Sequence, residues 1–123
     1  MIERSKKITI GEKSFIVNFP NVGQMIDIES MKQSLTGNRY GSMASSGIAS
    51  MYLALDVADA IAFLTVCVPD MAKYYNITDY SSLPADKMNV YVNIYKEQIL
   101  PWYNKILMEL SGITNDSEEA KFE

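Results

Sequence analysis

Histidine is missing from all 123 residues, and cysteine occurs once, as Cys67. These shortages remove the commonest general base and the commonest metal ligand, so zinc sites and Cys–His or Ser–His–Asp nucleophile systems are excluded. A lone cysteine closes no internal disulfide, and a thiol inside an apolar stretch is unreactive, which fits a reducing cytosol. Positive charge is also in short supply: 11 Lys and Arg stand against 15 Asp and Glu, a net charge of -4. A nucleic-acid backbone is therefore not the expected main partner, because binding phosphates needs clustered cations. There is no Gly-x-Gly-x-x-Gly or phosphate-loop pattern, and no cofactor is expected. The opening, Met1 to Lys7, is charged and no apolar run follows, which predicts no signal peptide.

What is abundant is one apolar run, Ile48 to Val68, interrupted only by Ser50, Asp56, Asp59 and Thr65. A helix apolar on nearly all sides belongs inside something. Its length would almost span a bilayer, but two central aspartates each cost about 2.5–3.5 kcal/mol there, and no Lys or Arg cluster anchors either end. The run is read as the buried central helix of a small domain.

Before it, residues 7–19 read as a β-hairpin. Ile8 and Ile10, then Phe15, Val17 and Phe19, alternate with polar residues around a turn at Gly11-Glu12-Lys13, and Pro20 ends the second strand. Two strands alone are marginal in water, so the hairpin is expected to cover the helices or to offer an edge for assembly. Asn21 and Gln24 form a capping-box pattern that opens a helix over 22–35, with Val22, Met25, Ile28, Met31 and Leu35 along one side. Asp27, Glu29, Lys32 and Gln33 are expected in solvent, and Gly37-Asn38 is a stop. Residues 39–47 are small, polar and glycine-bearing, and read as a connecting loop.

After the central helix and Pro69, residues 70–76 add a helical turn bearing Tyr74 and Tyr75, and 77–82 read as a loop. A last long helix over 84–111 carries Met88, Val92, Tyr95, Ile99, Trp102, Ile106 and Leu110 in steps of three and four. Pro101 lies inside it and lacks the N–H that would bond residue 97, so a kink is expected there. Gly112 closes the helix, and 113–123 reads as an acidic, disordered tail. The expected architecture is α+β, mainly α: an N-terminal hairpin followed by a small bundle of three main helices, one globular domain over 1–112.

Asp56 and Asp59 share a helix face. Paired carboxylates serve acid–base chemistry only with a cleft and a means of separating their pKa values, and neither is indicated. A solvated stripe, or hydrogen bonds to Tyr or Lys neighbours, is the preferred reading, and no catalytic residue is assigned. Eight methionines and eight tyrosines suggest adaptable contact surfaces. Most fall at core spacing. Tyr40, Met43, Tyr74, Tyr75, Tyr80 and Tyr103 are expected outside the core, as candidate partner-binding residues.

The run Phe19-Pro20-Asn21-Val22-Gly23-Gln24-Met25-Ile26-Asp27-Ile28-Glu29-Ser30-Met31-Lys32 resembles the opening of small tail assembly chaperones of long-tailed bacteriophages. Leu55 to Phe63 (LDVADAIAF) and Tyr95 to Tyr103 (YKEQILPWY) resemble the same group, and the acidic end resembles that of its shorter, non-frameshifted product. The resemblance implies a non-enzymatic role in the host cytoplasm: binding the tape-measure protein, and possibly the tail-tube protein, during tube assembly, with homo-oligomers possible. The competing expectation is a structural virion component or ring-forming adaptor whose hairpin makes inter-subunit contacts.

Overall fold

The computed structural model describes residues 2–112, and the predicted acidic tail lies outside them. Strands β1 (Ser5–Ile10) and β2 (Lys13–Asn18) pair antiparallel, with Ile8 opposite Phe15 and Ile10 opposite Lys13. The hairpin turn has positive φ only at its first position, Gly11 at +58°. That form matches the twist of the strands and asks for glycine there. The alternation puts Ile8, Phe15 and Val17 on a buried face, while Lys7, Thr9 and Ile16 face solvent.

Helix α1 (Val22–Leu35) starts at the expected capping box: Gln24 N–H donates to Asn21 Oδ1 at 2.9 Å, and Asn21 N–H to Gln24 Oε1 at 3.0 Å. Its apolar residues do not share one face. Ile28 alone is fully buried, Met25 and Met31 are half-buried, and Val22 and Leu35 are exposed. The helix ends on Gly37 and Asn38, both left-handed.

The connector over 39–47 is not simply a loop, because it contains a five-residue helix, α2 (Tyr40–Ala44). Helix α3 (Ala49–Cys67) follows and is central, packing against α1, α2, α4 (Pro69–Tyr74) and α5 (Ala85–Ile94). Its buried residues run from Leu55 to Leu64. Ile48, Tyr52 and Leu53 are exposed, so the expectation of burial along the whole run fails at its N-terminal third. By length and composition α3 is the one described helix that could cross a bilayer, but its later turns form the core.

Between α4 and α5 the expected loop contains a 3₁₀ turn, Tyr80–Ser82, whose first N–H groups are held by Asp79: Ser81 N–H donates to Asp79 Oδ1 at 3.0 Å. The last long helix has three parts: α5, a π-type segment Tyr95–Ile99, and α6 (Leu100–Ser111). In the wide turn Leu100 N–H bonds Tyr95 O, five residues back. A kink is expected at Pro101; what the helix carries just before the proline is this widened turn, which relieves the carbonyls the proline ring would meet. Six of the seven stripe residues, Met88 to Ile106, are buried, whereas Leu110 is exposed. Ile8, Val17, Ile28, Phe63, Leu64, Met71, Ile99 and Ile106 form the driest part of a core shared by hairpin and helices.

Candidate interaction surface

The two aspartates on α3 are each engaged by another element. Asp59 accepts a hydrogen bond from Tyr40 Oη at 2.6 Å, and Lys32 Nζ lies 3.6 Å away while also bonding Glu29 at 2.9 Å. Asp56 pairs with Lys96 at 3.0 Å. Hydrogen bonds to Tyr and Lys neighbours are thus what these carboxylates make. Lys32 is correspondingly half-buried rather than in open solvent, and its ammonium sits 5.5 Å from the centre of the Tyr40 ring. Burial pushes the Asp59 carboxyl above the usual range, against the opposing pull of Tyr40 and Lys32. The Tyr40 phenol is raised too, first by burial and then by its carboxylate acceptor, so it stays a donor. The effect is to pin α2 to α3 and α1 through one polar link.

Beside that link the surface is concave and apolar. Three adjoining depressions of about 310, 290 and 240 Å³ follow the outer side of α3. Arg39 and Met43 are shared at one junction, and Val57, Ile61 and Ser81 at the other, so the three form one trough. Met51 lies at the open end, Leu35 and Ala54 line the middle, and Leu83, Met88 and Val92 line the end beneath the 3₁₀ turn. The exposed Ile48, Tyr52 and Leu53 belong to the same N-terminal third of α3 as Met51. Arg39 is the charged residue of the trough. Its Nε donates to Thr36 O at 3.0 Å, and among the described residues no carboxylate pairs with it.

The six residues expected outside the core fall in three places. Tyr40 and Met43, on α2, are half-buried, and Met43 lines the trough. Tyr74 is exposed and Tyr75 half-buried, both beside β2: Tyr74 packs on Phe15 at 5.9 Å and on Tyr75 at 4.9 Å. Tyr80 and Tyr103 are corrections, since both are buried. Tyr103 stacks between Phe19 and Phe63, at 5.4 and 5.0 Å, because a packed helix buries three to four positions per two turns. Relative to Ile99, Trp102 and Tyr103 stand at the third and fourth places and share the inward face. Tyr80 is drawn in by the 3₁₀ turn and packs on Tyr91 at 5.5 Å. Burial raises its phenol to about 12. Through Tyr91, which lies 6.1 Å from Tyr75, the rings form a row from β2 to the trough.

Residue-by-residue reading missed Leu35, Leu53, Ala54 and Val57 as surface. The available signal was the length of the apolar run, which exceeds what its few neighbours cover. Among the described residues no three His, Cys, Asp or Glu side chains gather where they could hold a metal ion. Compared with known proteins, the chain matches no protein-family model, no curated protein and no solved structure.

Proposed function

We propose that this protein is a non-enzymatic tail assembly chaperone, which holds an apolar face of the tape-measure protein until tail-tube subunits enclose it. The observation that carries the reading is the apolar trough on α3, continuous with an uncovered helix end. Such a trough suits an amphipathic helix laid into it, the common way a soluble protein shields another's apolar stripe. Methionines 43, 51 and 88 line it, and their unbranched side chains adapt to different sequences along one long template. Many copies on that template would bind through avidity, without any one tight contact. Arg39, at the junction of two depressions, prefers a template face with a carboxylate at that end. The family resemblance of residues 19–32, 55–63 and 95–103 supports the same reading.

Co-expression with the tape-measure protein tests it. The wild-type chain should co-purify with the tape-measure protein, and a Met43→Asp/Leu53→Asp double variant with unchanged circular dichroism should not. Mass spectrometry of washed particles should find no copies. Retention in virions at fixed stoichiometry would make the protein a structural component. Binding of the wild type to lipid vesicles, with no capture of the tape-measure protein, would assign the apolar helix end to a membrane surface.

A further inference from the structure

We infer that the outer edge of β2 is a self-pairing site, at which a second copy of this chain adds its own β2 antiparallel. The inference rests on the hairpin alone and is independent of the chaperone reading.

Phe19 N–H bonds Arg4 O at 2.8 Å, which fixes the alternation of the ladder. With Ser5 opposite Asn18, Lys7 opposite Ile16 and Thr9 opposite Ser14, these three pairs turn their backbone groups outward. On the β1 side the outward edge is covered at Thr9 and Glu3, while the backbone groups of Ser5 and Lys7, beside two lysine side chains, meet no partner among the described residues. Gln98 acts as a one-residue strand: its Oε1 accepts from Thr9 N–H at 2.8 Å and its Nε2 donates to Thr9 O at 2.8 Å. Further along, Trp102 Nε1 donates to Glu3 O at 2.7 Å. On the β2 side the N–H and C=O groups of Ser14, Ile16 and Asn18 meet no partner among the described residues.

The uncovered edge also lacks the usual protection. Proteins guard edge strands with charges, prolines or bulges. Residues 14–18 carry no charge, and Ile16 at their centre is 63% exposed. The one lysine of β2, Lys13, is laid over the Tyr74 ring at 4.7 Å. The outward set is symmetric about Ile16. A second β2 centred there sets Ser14 against Asn18, Ile16 against Ile16 and Asn18 against Ser14, each pair exchanging both backbone bonds. Lys13 then falls opposite Phe19, so the strands meet with no like charges face to face. The inner faces of both strands, Phe15 and Val17, stay buried in their own copies, so the new contact is confined to the edge backbone and the outward side chains of Ser14, Ile16 and Asn18. That area is small for a protein interface, so the dimer is weak and depends on concentration.

Sedimentation of the full chain over a concentration series is the test. The mass should rise from 13.8 kDa towards twice that value, with the amides of Ser14, Ile16 and Asn18 gaining hydrogen-exchange protection in step. Ile16→Lys should abolish the rise. Ser14→Pro, which removes an outward N–H and leaves the backbone bonds to β1 intact, should abolish it independently. A constant mass for the wild type would overturn the inference. So would association that survives both hairpin variants, or association lost in Leu53→Asp, at the exposed end of α3, but retained in Ile16→Lys.

Discussion

From Leu55 to Leu64 the central helix carries all seven of its buried residues, whereas Ile48, Tyr52 and Leu53, a few residues earlier, stand in solvent. The two parts are equally apolar in sequence, so residue type does not separate them. Neighbours do. Residues of the later part join one buried core with the hairpin, α1, α4, α5 and the π-type segment, whereas none of residues 48–54 belongs to it. An apolar helix becomes core only as far as other elements reach, and what extends beyond them is left for a partner.

The sharpest way to break this contrast is to truncate one side chain from each part. Phe63→Ala empties a site with 0% exposure, packed by Tyr95 at 5.5 Å and Tyr103 at 5.0 Å. It should cost about 3–5 kcal/mol in urea unfolding, close to the whole stability of a small domain. Trp102→Ala should behave the same way. Leu53→Ala should move stability by no more than about 0.5 kcal/mol. Equal losses for Phe63 and Leu53 would show that the earlier part is covered after all.

A smaller effect sharpens the comparison at the boundary. Tyr40→Phe removes the 2.6 Å bond to Asp59 and leaves that carboxylate with Lys32 at 3.6 Å. The expected loss is about 1–2 kcal/mol, at the lower end for a bond to a charged group because Asp59 is partly exposed. Amides of α2 should exchange faster in this variant, since α2 is held to α3 through that bond.

The weakest effects are those of pH, and two carboxyls should respond with opposite sign. Asp59 has a folded pKa raised above 3.8, so folding favours its protonated form, and the stability this gives is lost as pH rises through the folded value. Relative to Asp59→Asn, the wild type should therefore lose stability as pH climbs from about 4. Glu109 is held below 4.5 by its hydrogen bond to Arg4 at 2.7 Å. Its contribution is present above that value and fades as pH falls through the folded one, and Glu109→Gln should abolish this slope. Parallel slopes for the two would contradict the assignment of one carboxyl as desolvated and the other as ion-paired.

Much of the fold was legible because its signals are local. The Asn21–Gln24 box, the alternation of Ile8, Phe15 and Val17, and the stripe from Met88 to Ile106 each declare themselves within a few residues. The misplacements involve partners distant in sequence. Lys32 is half-buried because Asp59, 27 positions later, lies beneath it. The short α2 has no apolar period of its own and is held in place by that same aspartate. Of the residues singled out as candidates, Met43 lines the trough and Tyr40 bonds Asp59 beside it, but the trough itself was not legible. A trough is a gap between elements, and no single stretch of sequence encodes the distance from α2 to the 3₁₀ turn. Tyr103 reads as outside only while the inward stripe is one residue wide, and Tyr80 reads as outside because a 3₁₀ turn between helices has no periodic signal of its own.

The π-type turn at Tyr95–Ile99 has a consequence for how this chain tolerates change. Each residue of a regular helix advances the side chains by about 100°. The turn holds one residue more than a regular helix would, and so works as a phase adjuster between α5 and α6. Deleting that one extra residue would turn the segment into a regular helix and leave Trp102, Tyr103 and Ile106 facing as they do, whereas a deletion inside α6, which has no residue to spare, would rotate everything beyond it by about 100°. Removal of Lys96 or Glu97, both exposed in this turn, should therefore be absorbed, while removal of Asn104 from α6 should unseat Ile106 and destabilise the protein.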